Sequence, residues 1–270
     1  MGINDTRELS NEQIQRVAPS VFAGQPYHKQ SDRYAFVPTS DIINEMRKNG
    51  FVPVSACQSA SRIEGKELFT KHMIRFRQMN LNVTQVGEFI LEAVLVNSHD
   101  GTSAYDLSCG VFRVRCLNGL VVAEATCQPV KIRHTGNILD RVVEETQHLM
   151  ANAPKVADTI NQWRSIQLTN AQALELAVEA HGNRFDASNM AKRVTPEQLL
   201  NVRRSDDNGK DLWTVLNRIQ ENVIKGGLRA TRETSYERRA RTRGVKSIDN
   251  LISLNQEMWA SAERMAAQVR

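Results

Sequence analysis

Cysteine is scarce in this chain, with four among 270 residues, and none of the four forms a CxxC pair. Cys57, Cys116 and Cys127 stand in apolar stretches, where a cysteine usually packs as a small buried hydrophobic residue. Zinc sites need closely spaced Cys and His ligands, and these are scattered along the chain. The sequence therefore predicts neither a disulfide framework nor a metal centre, and we expect no cofactor.

Long hydrophobic runs are missing too. No stretch approaches the roughly 18 apolar residues that cross a bilayer, and residues 1–20 are polar and charged rather than signal-like. We expect a cytoplasmic protein with no membrane partner. Aromatic residues make up only 6% of the chain, which counts against extensive base stacking as a mode of ligand binding.

Catalytic motifs of the HExxH, GxSxG and GxGxxG types do not occur. His72, His99 and His134 remain as candidates for a hydrolase or nuclease site, with Asp100 or Asp106 as the carboxylate. His99 stands between Ser98 and Asp100 in a turn, but triad members normally come from separate elements, because neighbours in a tight turn cannot aim at one another. Whether the chain is an enzyme stays open, and the sequence favours a protein that is not.

What is present is a change of pattern midway along the chain. Alternating apolar and polar residues predict strands over residues 33–37, 51–57, 70–77, 88–96, 102–107, 111–116 and 125–133. A helix is expected over 41–49, with Ser40 as its N-cap. From residue 136 the apolar spacing becomes helical, and strands followed by helices indicate an α+β fold with an antiparallel sheet.

Two regions follow from this pattern. Residues 1–135 form a β-rich α+β region, and residues 136–270 form a helical region. In the helical region, Thr169 with Gln172 makes a capping box and Thr195-Pro196 begins a helix. Gly226-Gly227 ends the helix that comes directly before these two glycines. A basic loop is expected at 225–246.

Pairs of basic residues on three predicted strands give the main functional signal. Each pair is spaced i, i+2, so both members point to the same side of a strand. If the strands are neighbours, six cations line one open sheet face and match a phosphodiester track. The alternative is that each pair is the solvated face of its own strand. The pairs are Arg75 with Arg77, Arg113 with Arg115, and Lys131 with Arg133.

The basic loop is the second signal, because it carries eight Lys and Arg residues against Glu233 and Glu237. Basic segments without apolar periodicity often contact nucleic acid; a solvated linker is the alternative. Together with His134, a candidate phosphate contact, the nucleic-acid-binding residues predicted from both signals are Arg75, Arg77, Arg113, Arg115, Lys131, Arg133, His134, Lys225, Arg238, Arg239, Arg241 and Arg243.

Several strings also resemble a known family. They include SDRYAFVPT at 31–39, GFVPVSACQ at 50–58, TKHMIRFR at 70–77, LVNSHDGTSAY at 95–105, GVFRVRCLNGLV at 110–121 and DLWTVLNRIQENVIKGGL at 211–228. They resemble the domain-of-unknown-function 932 group of YfjQ-, YafZ- and YubP-like bacterial proteins encoded by plasmids and prophages. The resemblance implies a mobile-element setting and supplies no activity or catalytic residue. It is weakest over 151–193 and 229–246.

Our leading hypothesis is a nucleic-acid-binding accessory protein of a plasmid or phage that binds or anneals single-stranded DNA. A β-rich core with a basic groove and added helices is similar to single-strand annealing proteins, an analogy at the level of fold alone. Such proteins often form rings, so a homo-oligomer is compatible with it. Tyr34 and Tyr105 are candidate stacking residues. The alternatives are a protein-binding inhibitor of a host defence or host enzyme and, third, a hydrolase or nuclease.

Overall fold

The chain forms two compact units, Met1–Lys155 and Val156–Arg270. A computed structural model describes residues 3–4, 7–28, 35–79, 85–86, 89–113, 119–121, 129–134, 137–186, 193–231 and 240–269. Of the helices it describes, none has the length and apolar character needed to cross a membrane.

The first unit is built on an antiparallel sheet. In chain order its described strands are β1 (Ile3–Asn4), β2 (Phe51–Gln58), β3 (His72–Gln78), β4 (Gln85–Val86), β5 (Phe89–Asn97), β6 (Tyr105–Arg113), β7 (Gly119–Val121) and β8 (Val130–Ile132). The spatial order is β1-β2-β3-β5-β6-β7, with β4 pairing β5 and β8 pairing β6. The predicted α+β class is confirmed, with the sheet in the first half and helices in the second.

The predicted strands differ from the observed ones in three places. Residues 102–107 and 111–116 were expected as two strands, but β6 is continuous because Gly110 pairs with Glu92 of β5. Residues 35–37 are not a strand, and the Ala35 amide instead donates to the carbonyl of His134. Of the predicted strand 125–133, the structure describes residues 129–133, in which Val130–Ile132 form a strand; residues 125–128 lie outside the described part.

Among the described residues of the first unit, the α-helices are α1 (Asn11–Val17), α2 (Thr39–Lys48) and α3 (Ile138–Ala151). The hydroxyl of Thr39 is hydrogen-bonded to His72 and accepts from the amide of Asn97, which places the start of α2 over one face of the sheet. That face carries the apolar row of Ile74, Leu95 and Leu107, which are direct cross-strand partners. Thr39 begins α2, so Ser40 is not the N-cap that the sequence indicated.

The second unit is helical. Its helices are α4 (Ala153–Ser165), which begins in the first unit, α5 (Asn170–Phe185), α6 (Pro196–Leu199), α7 (Leu212–Lys225) and α8 (Ile248–Val269). Trp163, Trp213 and Trp259 are buried together, with ring centroids 4.5 to 6.3 Å apart. The capping box of Thr169 and Gln172 is present. The predicted end of α7 is confirmed at Gly226, whereas α4 was missed.

Candidate nucleic-acid interface

Arg75 and Arg77 share the sheet face that lies opposite α2, but Arg75 does not face water. Its side chain is 4% exposed and its Nε lies 3.4 Å from Oε2 of Glu92, a carboxylate with no exposed surface. The Nη2 of Arg77 lies 2.6 Å from Oε1 of the same carboxylate. One buried acid therefore holds both arginines as an internal cluster, because charges removed from water need a partner.

The Arg75 guanidinium also stacks on an aromatic ring, with its Cζ 3.8 Å from the centroid of Phe112. That ring lies over Gly110, where an added Cβ would come within 2.4 Å of it. Gly110 thus provides the space in which Phe112 supports Arg75. Such a cation–π contact is worth up to about 2 kcal/mol when desolvated.

The other predicted pairs do not extend this face as an open track. The backbone register pairs Arg113 with Phe89, a position of opposite parity to Glu92 and Val94, and Arg115 lies outside the described residues. Lys131 pairs with Asp106 and shares the face of Arg75, while Arg133 follows the end of β8; both are exposed. The expectation that three cation pairs line one water-facing surface is therefore not met in the described sheet.

Two candidate histidines do converge, but in the core. His72 and His99 have no exposed surface, and their ring centroids are 5.3 Å apart. The hydroxyl of Thr39 lies 2.9 Å from Nε2 of His72 and 3.2 Å from Nε2 of His99. The amide of Asn97 donates to the same oxygen at 3.0 Å. Asp100, one of the two candidate carboxylates, is ion-paired to Lys66 at 3.0 Å.

Hydrogen bonds hold both rings in place. Nδ1 of His72 lies 2.9 Å from the hydroxyl of Ser20 and 3.2 Å from the carbonyl of Thr70. Nε2 of each ring contacts the hydroxyl of Thr39, so both histidines are hydrogen-bonded to neighbours inside the protein. Burial lowers the pKa of His72 to about 4, and burial with the neighbouring His72 lowers that of His99 to about 3. Both rings are neutral near pH 7, and neither reaches solvent as a catalytic base must.

His134 and Tyr105 are packed against each other rather than presented to a ligand. Their ring centroids are 4.5 Å apart, and Nε2 of His134 donates to the carbonyl of Ser103 at 3.2 Å. Tyr105 has no exposed surface and its hydroxyl donates to the carbonyl of Val37 at 2.8 Å. The expectation that Tyr105 is an exposed stacking residue is therefore wrong; Tyr34 lies outside the described residues.

The second unit contains a different basic surface, which we call the basic ribbon: residues 227–231 and 240–245. These segments run antiparallel, with Gly227 N donating to Thr242 O at 2.8 Å and Ala230 N to Ala240 O at 3.0 Å. Arg229 and Arg241 are direct cross-strand partners. The described ends of the predicted basic loop thus form a paired element, whereas residues 232–239, including Arg238 and Arg239, lie outside the described part.

Side chains alternate along the ribbon as in any strand. Leu228, Ala230 and Thr242 are buried, whereas the arginines between them, Arg229, Arg241 and Arg243, are exposed. Among the described residues, no carboxylate lies within ion-pair distance of these three arginines. The ribbon therefore presents three guanidinium groups on one side, and none of them is paired with a carboxylate of the described residues.

Neighbouring residues attach the ribbon to the segment before α6 and to the end of α7. Arg193 and Thr231 exchange hydrogen bonds, with Thr231 N donating to Arg193 O at 2.7 Å and Arg193 Nε to Thr231 O at 3.0 Å. Gly226 has φ +65°, and a Cβ there would lie 2.7 Å from the backbone of Arg243. Glycine is thus required where the end of α7 meets the second segment of the ribbon.

Three further cations lie at the end of α7, next to the ribbon. Glu221 is 5% exposed and accepts from Arg204 Nη2 and from Lys225 Nζ, each at 2.8 Å. Burial raises the pKa of Glu221, but the hydrogen bond from Lys225 and the nearby positive charges outweigh it, so the pKa is lowered. Arg203 Nε donates to Asn222 at 2.6 Å, and its Nη2 donates to Gly226 O. These contacts hold three cationic side chains with one acid between them.

Sequence reasoning placed Lys225, Arg241 and Arg243 in a loop and left Arg229, Arg203 and Arg204 out of the predicted site. A usable signal was present, because Leu228-Arg229-Ala230 and Arg241-Thr242-Arg243 alternate as strands do. The contribution of Arg203 and Arg204 depends on how the segment after α6 packs on α7, which no local pattern indicates.

Comparison with known proteins gives a family without an activity. Residues 26–259 match the model of the "Domain of unknown function (DUF932)". The chain is 36% identical to "UPF0380 protein YafZ" of Escherichia coli strain K12 over 99% of its length and 95% of the relative's. It is 35% identical, over the same shares, to "UPF0380 protein YfjQ" of that strain. No solved structure matches significantly.

Proposed function

The chain belongs to the DUF932 family, whose description states no activity, and we propose from its geometry that it binds the sugar–phosphate backbone of nucleic acid through the basic ribbon. One observation carries the proposal: Arg229, Arg241 and Arg243 are exposed together on one side of the ribbon. Guanidinium groups bind phosphate oxygens in a bidentate manner, so three of them side by side match successive backbone phosphates.

The ends of the ribbon support this assignment. Arg203 is oriented by Asn222 and by Gly226 O, and its Nη2 lies 4.0 Å from the position that a Cβ on Gly227 would take. A cation that is already oriented loses less conformational entropy when it binds a phosphate. Backbone contacts of this kind carry no base information, so binding is expected to tolerate any sequence.

Fluorescence anisotropy with a labelled DNA single strand tests the proposal, using the full chain and a variant carrying Arg229→Gln, Arg241→Gln and Arg243→Gln. Each phosphate neutralised on a single strand contributes roughly 0.7 to the slope of log affinity against log salt. The triple variant should therefore lower that slope by about 2. If the variant and the unaltered protein bind equally at 1 M salt, this difference in slope makes the variant bind about 400-fold more weakly at 50 mM salt.

The matched control is Lys131→Gln with Arg133→Gln, which removes exposed cations of the first unit and should leave the slope unchanged. A duplex of the same sequence, titrated in parallel, decides whether single strands are preferred. Absence of saturable binding by the unaltered protein at low salt would refute the proposal. A loss of binding in the control but not in the triple variant would move the interface to the sheet.

A further inference from the structure

A pocket of about 270 Å³ lies in the second unit between the start of α5, the segment 199–210 and α7. Its floor is apolar, formed by Leu168, Ala173, Leu200 and Val215. Its size is close to the lower end of the roughly 300–1,000 Å³ that is usual for small-molecule sites. Its walls carry polar groups that the basic ribbon does not use.

The wall made by residues 207–210 is held in place before any ligand arrives. Arg218 of α7 donates through Nε to Asp207 O at 2.9 Å and through Nη2 to Gly209 O at 2.7 Å. Leu168 N donates to Lys210 O at 2.9 Å. A Cβ on Gly209 would lie 2.8 Å from a carboxylate oxygen of Asp211, so this close approach also needs glycine. A wall whose carbonyl groups are held by these hydrogen bonds is preorganised for binding.

The polar groups around the pocket are of two kinds. Asn170 and Asn208 bring exposed amides to it, which can both donate and accept. Lys210 and Arg218 bring positive charge. In the described part of the unit neither forms an ion pair, but the carboxylates of Asp207 and Asp211 lie near enough to act on the charge of Arg218. Within the described residues, the hydrogen bonds of Arg218 use Nε and Nη2, which leaves its Nη1 protons for a ligand. An apolar floor, two amides and two cations are the groups that a planar base bearing a phosphate requires.

The pocket and the basic ribbon lie along one side of α7. Arg218 and Lys225 are seven residues apart, so they fall on the same stripe of the helix about 10 Å apart. Between them Asn222 bonds the carbonyls of Leu199 and Asn201. The next nucleotides of a nucleic-acid strand bound along the ribbon can therefore reach the pocket.

We propose that this pocket binds one nucleotide, with the base against the floor of Leu168 and Val215 and the phosphate beside Lys210 and Arg218. The inference rests on the proposed function in one respect, namely that the nucleotide belongs to the strand held by the ribbon. A free nucleoside monophosphate has the same chemistry and serves as the probe.

Isothermal titration calorimetry of the full chain with AMP and CMP tests the pocket, with adenosine and inorganic phosphate as the two halves of the ligand. Both monophosphates should bind saturably, and adenosine and phosphate should each bind at least about tenfold more weakly. Ala173→Leu fills the pocket from α5 and should abolish monophosphate binding. Lys210→Ala should weaken AMP without changing adenosine.

Far-UV circular dichroism confirms that each variant is folded; if Ala173→Leu is not, the exposed Lys210 decides the matter. Absence of saturable AMP binding, AMP binding unchanged in both variants, or phosphate binding as tight as AMP would overturn the inference. The triple arginine variant of the ribbon should retain AMP binding. If the unaltered protein binds AMP but no strand, the proposed function fails and the pocket stands on its own.

Discussion

The buried histidine pair makes the stability of the first unit depend on pH in a way that can be calculated. His72 and His99 are neutral in the folded protein, because burial lowers the pKa of His72 to about 4 and that of His99 to about 3. In the unfolded chain both have a pKa of about 6.5. The unfolded state therefore binds more protons below pH 6.5, and acidification favours unfolding.

The size of the effect follows from the same values. Between pH 6.5 and pH 5 the folded rings stay neutral while the unfolded ones become protonated, which costs about 1.4 kcal/mol per pH unit for each ring. The two rings together should remove roughly 4 kcal/mol of stability between pH 8 and pH 5. The result changes little with the folded pKa values, provided that both lie below 5. Burial also lowers the pKa of His134, which adds to the loss in the same direction.

Urea unfolding between pH 8 and pH 5 measures this dependence, with hydrogen exchange of peptides from β3 and β5 as the local readout. His99→Gln and His72→Gln should each remove about half of the pH-dependent loss, whatever they do to stability at pH 8. The matched control is His148→Gln, at an exposed position on α3, which should keep the full dependence. A stability that is flat between pH 8 and pH 5, or a His99 variant with the dependence of the unaltered protein, would refute the assignment of a neutral buried pair.

Two substitutions test the packing arguments. Glu92→Gln leaves two guanidinium groups beside a neutral partner in the core and should lower the free energy of unfolding by about 3–5 kcal/mol, measured by urea unfolding. Glu144→Gln, at an exposed position on α3, is the control. Equal stability of the two variants would contradict the internal ion-pair cluster. Gly226→Ala should both destabilise the second unit by about 1–3 kcal/mol and weaken strand binding, because the new Cβ meets the backbone of Arg243. Gly227→Ala also has a positive φ, but its Cβ would meet only the side chain of Arg203, at an ordinary contact distance of 4.0 Å. If Gly227→Ala lost as much binding as Gly226→Ala, displacement of Arg243 would not be the cause.

Local patterns predicted most of the fold. β2, β3, β5, α3, α7 and α8 follow from apolar periodicity and from capping residues, which depend on neighbours in the chain. The start of α2 was misplaced for a reason that lies elsewhere. Serine is a residue type that often caps a helix, which is why Ser40 was predicted as the N-cap. The hydroxyl of Thr39, however, is hydrogen-bonded to His72 and His99, and these tertiary contacts decide where the helix begins.

The candidate site was harder to predict. Alternation within one strand shows which of its residues share a side, but it does not show which face of the sheet that side becomes when the strand pairs with its neighbour. Arg75 and Arg113 each alternate correctly with apolar neighbours, yet the register of β5 and β6 puts them at positions of opposite parity. A bulge near Pro53 shows that such phases also shift within a strand pair. The side of a sheet that a residue occupies is therefore a property of the pairing, which only the assembled sheet reveals.

The availability of a cation for a ligand is decided by the acids around it rather than by the number of basic residues. In the sheet, Glu92 lies between Arg75 and Arg77 and both are committed to it. At the end of α7, Glu221 is shared by Arg204 and Lys225. On the ribbon the described arginines have no such partner. Because an ion pair must be given up before a phosphate is bound, affinity for a polyanion should increase in this order from the sheet to the ribbon.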